Sequence, residues 1–190
     1  MVRCLCLTLL AGLIVVASCG RSYVKRGPAG DIVEAGVVLG SKGPLSGCYV
    51  MTLSPGLQNL MGEYVNAGTV CRVFLTERPA TVPFYHLENE SSTDHLYTAS
   101  RDEADKALGG GYRLKDTYYV YTSPANGGIA LYRLSLPGVP CHYYTTAETT
   151  RDSLIATDGY TYEFVACYVP PDSVGGARLL YRMKKISKGP

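Results

Sequence analysis

The residues with the most chemistry to offer are three histidines and one aspartate. Asp94 and His95 are adjacent, and His142 follows 47 residues after His95. An imidazole can bind a metal ion or act as a general base, and a neighbouring carboxylate can hold it in one orientation. Such a pair at the start of a strand can equally serve the fold, by hydrogen-bonding to the backbone of a turn. We favour the structural interpretation, and the sequence predicts neither a metal site nor a cofactor.

Motifs for covalent catalysis and for phosphate binding are missing from the sequence. There is no Gly-x-Ser-x-Gly, and the glycine run at 109–111 follows a helical pattern instead of opening one. The acidic residues are scattered, and the sequence alone places no pair at the spacing of a glycosidase. We therefore expect a protein that is not an enzyme, with a hydrolase as the third of three hypotheses.

Tyrosine is the dominant aromatic residue, with 16 Tyr against 3 Phe and no Trp. Most tyrosines recur at equivalent positions of an internal repeat and are expected in the core. Tyr118, Tyr119, Tyr121 and Tyr143 fall outside that pattern, which predicts exposed rings. An exposed ring offers an apolar platform to the C–H face of a sugar, and polar groups at its rim supply hydrogen bonds. The predicted ligand-binding residues are Asp94, His95, Tyr119, Tyr121, His142 and Tyr143.

The internal repeat has a period of about 48 residues, which is in the range of repeat architectures. For example, Asp94–Thr98 matches Cys141–Thr145. Each copy predicts two strands, a short helix and a final strand. In the second copy the helix is Arg101–Leu108, with Ser100 as its N-cap and Gly109 at its end. The copies span about 37–81, 82–128 and 129–176, and a closing strand at 177–184 would complete the first copy.

One copy is too small to bury both faces of its strands, so three copies packed around a common axis are the economical solution. The predicted fold class is mainly β with short helices, in one compact pseudo-threefold repeat domain of β-trefoil-like shape. This domain is expected to span residues 37–190, after a signal peptide at 1–20 and a flexible leader at 21–36.

The N-terminal segment has the pattern of a secretory signal. Arg3 precedes an apolar run of about 14 residues that ends in small residues. A membrane-spanning helix needs roughly 20 apolar residues, and no later segment approaches that length. We therefore expect a secreted protein with no transmembrane segment after signal removal. Cys19 also fits a bacterial lipobox, in which case a lipid on Cys19 would anchor the chain.

The charge balance limits the partners. Without the signal, 17 Lys and Arg face 16 Asp and Glu. Nucleic acids and anionic membranes attract proteins with a concentrated basic surface, so the sequence predicts no nucleic-acid partner.

Several of these motifs resemble a repeat family of unknown function, found in bacteria and eukaryotes, whose units read vPLYRyyNp.tgDHFYTt...e...lg.GY.yEGiagYv. The matching residues are Pro83–Leu87, Asp94–Thr98, Gly111–Tyr112 and Gly159–Glu163, within a resemblance that covers about 45–185. Such repeats are similar to modules appended to secreted hydrolases and cell-wall proteins, which implies an accessory or surface-binding role. The family offers no catalytic residues, and this chain departs from its motif at Cys141, where the family has Asp.

Four cysteines lie in the repeat domain, and an even number in an exported chain favours disulfides. Cys71 and Cys167 are two periods apart, whereas Cys48 and Cys141 flank the second strand of the same two copies. The middle copy lacks both cysteines. We predict that the disulfides close within copies, joining Cys48 to Cys71 and Cys141 to Cys167.

The leading functional hypothesis is a secreted, non-enzymatic module that binds a glycan or another extracellular surface polymer. The alternative is a structural module or one that binds a protein partner in the extracellular space. Asn89 begins an Asn-Glu-Ser glycosylation sequence, which matters only in a eukaryotic secretory pathway.

Overall fold

The computed structural model describes residues 16–17, 21–26, 32–38, 48–54 and 64–185. Two parts of the chain are compact by themselves, Met1–Gly43 and Pro44–Pro190. In the first part, strands β1 (Val16–Ala17), β2 (Arg21–Arg26) and β3 (Ile32–Val38) form an antiparallel sheet in that order. Residues 21–36, expected to be a leader without regular structure, therefore contain strands. Apart from β1, the predicted signal peptide, including Cys19, lies outside the described residues.

In residues 48–54 and 64–185 of the second part, the structure has nine strands and two α-helices. The strands are β4 (Tyr49–Thr52), β5 (Tyr64–Val73), β6 (Thr81–Asn89), β7 (Asp94–Thr98), β8 (Arg113–Tyr121), β9 (Ile129–Leu136), β10 (Val139–Thr145), β11 (Thr161–Val169) and β12 (Arg178–Lys185). The helices are α1 (Arg101–Gly109) and α2 (Glu148–Thr157). The predicted mainly β class with short helices is confirmed. No helix among the described residues is long and apolar enough to cross a membrane.

Strands β4 to β12 form three antiparallel sets of three strands each, and the strands are arranged in the same order within every set. The first set is β4-β12-β5, the second is β7-β6-β8 and the third is β10-β9-β11. The second and third sets share one six-stranded sheet through a single residue pair, Tyr121 with Tyr168. An isolated bridge between Phe74 and Tyr119 joins the first set to the second. The β-trefoil-like shape stays a prediction.

All three sets contribute to one hydrophobic core. Its residues include Val73, Phe84, Val120, Leu131 and Leu180, none of which has any exposed surface. Every set therefore loses part of its core if another set is removed.

Buried tyrosine hydroxyls link the sets inside this core. The Tyr97 hydroxyl bonds to both backbone groups of Met51, at 2.8 and 2.9 Å. In the same way, the Tyr144 hydroxyl bonds to both backbone groups of Tyr97, at 2.9 and 3.0 Å. A buried hydroxyl without a partner would cost folding energy, so these contacts fix how β4, β7 and β10 lie against one another.

Local sequence signals set the bounds of helix α1. The Ser100 side chain accepts a hydrogen bond from the Glu103 backbone N–H, which is the predicted N-cap. After the helix, Gly111 has φ +92°, a backbone conformation that glycine adopts without the cost of a Cβ. Ala104 is 3% exposed and packs with Leu87 and Leu96, so the helix covers the second set.

The structure corrects the predicted disulfide pairing. Cys48 is bonded to Cys141, with their Cα atoms 5.3 Å apart, so this disulfide joins the first set to the third. Cys71 and Cys167 are buried free thiols. Pairing within a set was wrong because the second and third strands of each set flank its central strand. Two strand spacings amount to about 9.5 Å, beyond the roughly 7 Å that a disulfide can span between Cα atoms.

Candidate functional site

Asp94 and His142 meet between the second and third sets. Asp94, at the start of β7, is 1% exposed. It accepts a hydrogen bond from the Tyr112 hydroxyl at 2.6 Å, and its other oxygen lies 3.3 Å from Nδ1 of His142 on β10. The side chain of His142 is 20% exposed. In the sequence Asp94 is adjacent to His95, but in the structure its carboxylate pairs with the imidazole of His142, and this pair connects two sets.

The electrostatics of this pair favour an ionised carboxylate. Burial alone would raise the pKa of Asp94, but the hydrogen bonds and charge of His142 and the Tyr112 hydroxyl outweigh it, so the pKa of Asp94 is lowered. Asp94 is thus a fixed anion that positions the ring of His142.

His95 and His86 form a second polar cluster on the other side of β7. Nε2 of His86 lies 3.1 Å from Nδ1 of His95, and Nδ1 of His86 lies 3.2 Å from the Asp116 carboxylate. His86 also stacks on the buried ring of Tyr97 at 4.3 Å. Burial, followed by the charge of His86, lowers the pKa of His95 to about 4. His95 is therefore neutral at pH 7, and both rings serve as hydrogen-bonding parts of the interior.

Asp94 and His142 therefore share one contact, whereas His95 belongs to the separate cluster with His86 and Asp116. In residues 48–54 and 64–185, no three His, Cys, Asp or Glu side chains are placed to share one metal ion. The side-chain contacts of Asp94, His95 and His142 connect strands to one another.

The three tyrosines predicted as ligand-binding lie elsewhere. Tyr121 and Tyr143 are both 7% exposed, and Tyr119 is half-buried. Tyr143 packs edge-on against Tyr49 and Tyr160. The predicted exposure of Tyr121 and Tyr143 was wrong, and so was that of Tyr118, because Tyr118 belongs to the central core and the other two rings pack against aromatic neighbours. These three buried rings offer no platform to a ligand.

In residues 48–54 and 64–184, the exposed aromatic side chains are instead on β11, at Tyr162 and Phe164, which are 40% and 43% exposed. We call these two residues the β11 aromatic pair. The pairing with β9 shifts register between them, which indicates a β-bulge. Among the strands that the structure describes, this half of β11 pairs with β9 alone, since β8 joins only at Tyr168. The pair therefore lies at an open sheet edge.

Charged side chains surround both rings of the pair. The Arg133 guanidinium lies 4.2 Å from the centre of the Phe164 ring, and that of Arg151 lies 5.7 Å from the centre of the Tyr162 ring. Arg133 also binds both Glu163 and Glu103. Sequence analysis missed this surface, although the alternation of aromatic and polar residues at 160–164 was a usable signal.

A cleft of about 500 Å³ lies between the first and third sets. Its walls are polar and apolar in about equal measure, with hydroxyl groups from Thr69, Thr146 and Ser173. Asp172 stands at its rim, paired with Arg72 at 2.6 Å. One cysteine, Cys71, also lines the cleft.

The strand order, the disulfide and the buried polar contacts define a mainly β domain with one open aromatic edge. The family model of a domain of unknown function, DUF5648, matches residues 56–170. The chain belongs to this family, so the predicted membership in an uncharacterised domain family is confirmed. Comparison with curated proteins and with solved structures finds no match.

Proposed function

We propose that the protein is a secreted, non-enzymatic binding module whose ligand is a glycan or another extracellular surface polymer. The observation that carries this proposal is the β11 aromatic pair. Tyr162 and Phe164 stand at an open sheet edge with arginines and carboxylates beside them. A sugar can place its apolar C–H face on such a ring and its hydroxyls against the charged rim.

The charged neighbours suit hydroxyl-rich ligands. Arg151 lies between the rings of Tyr132 and Tyr162, and the exposed Glu148 accepts a hydrogen bond from the Tyr132 hydroxyl at 2.7 Å. Both side chains keep free hydrogen-bonding capacity toward solvent. The Cys48–Cys141 disulfide is compatible with an oxidising compartment and supports export.

Screening the full chain on a glycan array and on insoluble cell-wall polysaccharides tests the proposal. We expect saturable binding that weakens at least about tenfold, or about 1.4 kcal/mol, in Tyr162→Ala and in Phe164→Ala. Leu114→Ala is the matched control, because Leu114 is 50% exposed at the corresponding position of β8.

Two outcomes would overturn the proposal. One is absence of binding at millimolar oligosaccharide by folded protein, with thermal unfolding as the check on folding. The other is binding that Tyr162→Ala, Phe164→Ala and Leu114→Ala weaken equally. A protein captured saturably by the same edge, without any glycan bound, would favour the protein-interaction alternative.

A further inference from the structure

Two free thiols, Cys71 on β5 and Cys167 on β11, lie in the central core. They are 8% and 4% exposed and belong to the same hydrophobic cluster. Their strands contact each other directly. Burial, followed by the electrostatic influence of Cys71, raises the pKa of Cys167.

The two thiols occupy corresponding positions in the first and third sets. Cys71 is paired with Leu180 on the central strand β12, and Cys167 is paired with Leu131 on the central strand β9. Each of these leucines immediately precedes a tyrosine of its strand. In the second set the corresponding residue is Tyr118, paired with Phe84.

The Cys48–Cys141 disulfide also joins corresponding positions of the first and third sets. Cys48 lies three residues before Met51, and Cys141 lies three residues before Tyr144. Met51 pairs with Arg182 on β12, and Tyr144 pairs with Arg133 on β9. Each of these arginines immediately follows a tyrosine of its strand, so Met51 and Tyr144 are corresponding residues. The cysteine bonded to Cys48 is therefore its counterpart in the third set, and Cys167 is the counterpart of Cys71.

We propose that Cys71 and Cys167 are the site of a second disulfide between the first and third sets, formed by exchange with a small disulfide such as oxidised glutathione. The Cys71 thiol loses its proton, and its sulfur attacks one sulfur of the reagent. A mixed disulfide forms and one thiolate leaves, taking up a proton. The Cys167 sulfur then attacks Cys71 and releases the second thiol. Two protein thiols are oxidised, and one reagent disulfide is reduced to two thiols.

The cleft between the first and third sets supplies the route for the reagent. Cys71 lines this cleft and Cys167 does not, so Cys71 is the attacking thiol. Burial raises the pKa of Cys71 to about 12, which keeps the thiolate scarce at neutral pH. The exchange is therefore expected to speed up roughly tenfold for each pH unit between 7 and 9.

Peptide mapping under non-reducing conditions tests the proposal directly. The full chain is folded in a glutathione redox buffer, alkylated, and cut with trypsin and glutamyl endopeptidase. The sequence then places Cys48 in peptide 43–63, Cys71 in 64–72, Cys141 in 134–148 and Cys167 in 164–178. Cys4, Cys6 and Cys19 share a separate peptide, 4–21. We expect 64–72 joined to 164–178, beside 43–63 joined to 134–148.

The proposal would be overturned if peptides 64–72 and 164–178 were recovered from folded protein with alkylated thiols. A disulfide between peptides 64–72 and 43–63 would also overturn it. Single variants then test the order of attack. In Cys167→Ala the reaction stops at the first step, so 64–72 carries glutathione. In Cys71→Ala the buried Cys167 stays unmodified, and the opposite labelling would refute the assigned order. The intact link between 43–63 and 134–148 reports in every digest that the variant has folded.

Discussion

The second and third sets have the same strand order but different charged contacts at corresponding positions. In β6, His86 bonds to His95 and to Asp116, whose side chain is 54% exposed. In β9, the corresponding Arg133 is 6% exposed and binds Glu163 together with Glu103 of α1. The backbone arrangement therefore does not depend on one polar network, since the corresponding positions of β6 and β9 are satisfied by different partners.

The residue at the start of the second strand of each set also makes a different contact in the two sets. Asp94 in β7 holds His142 by charge and hydrogen bonding, whereas the corresponding Cys141 in β10 is covalently joined to Cys48. Neighbouring sets are thus connected at equivalent places by different chemistry. Loss of one connection need not weaken the others.

Among matched substitutions in the two sets, the largest difference in the loss of unfolding free energy is expected at Arg133. Arg133→Met leaves the carboxylates of Glu103 and Glu163, which are 30% and 23% exposed, without their cation. Removing one partner of a buried ion pair lowers the free energy of unfolding by about 3 kcal/mol. Urea unfolding measures the loss. His86→Leu is the matched change, with an expected cost of about 1 kcal/mol, and equal losses at the two positions would contradict the comparison.

Acid is expected to destabilise the second set through His95. The folded pKa of His95 is about 4, below the roughly 6.5 of an unfolded histidine. Between these values the unfolded chain binds the proton and the folded chain does not, so stability falls as the pH falls from 6.5 to 4. The full effect is about 3 kcal/mol. Urea unfolding across this range, in the wild type and in His95→Gln, measures it, and an unchanged slope in the variant would refute the assignment.

The helix caps offer a smaller contrast. Ser100 caps α1 with its side chain, whereas Ala147 at the start of α2 makes no side-chain cap bond. Ser100→Ala is expected to lower the free energy of unfolding by about 1 kcal/mol. Thermal or urea unfolding checks this value.

The converse change is the smallest effect that we predict. The backbone of Ala147, with φ −90° and ψ 116°, nearly matches that of Ser100, with φ −84° and ψ 118°. A serine at position 147 can therefore reach the free N–H groups of the first turn of α2. Ala147→Ser should raise the free energy of unfolding by about 0.5 kcal/mol. A decrease in the free energy of unfolding would mean that the starts of α1 and α2 differ in more than their side chains.

Features encoded in neighbouring residues could be predicted from the sequence. The cap at Ser100 and the glycines after the helix define α1 within a few residues, and the strand-forming runs place the mainly β class. Such signals act through the local backbone and need no knowledge of which strands are neighbours.

Features that depend on strand order could not be predicted in this way. Pairing Cys48 with Cys71 assumed that the second and third strands of a copy are adjacent, whereas β12 lies between them. The exposure of Tyr143 was misjudged because packing across sets covers it. Phe164 is exposed because β8 pairs with β11 only at its far end, which no short window of sequence reveals.

The central place of β12 has a consequence for synthesis of the protein. Strands β4 and β5 leave the ribosome more than 100 residues before β12, yet each pairs with β12 in the finished domain. At ordinary elongation rates this interval lasts about 5 to 20 seconds. For that time the nascent chain presents strand edges that can bind another chain. A chaperone that shields residues 49–73 during translation would therefore raise the yield of folded protein more than one that acts after release.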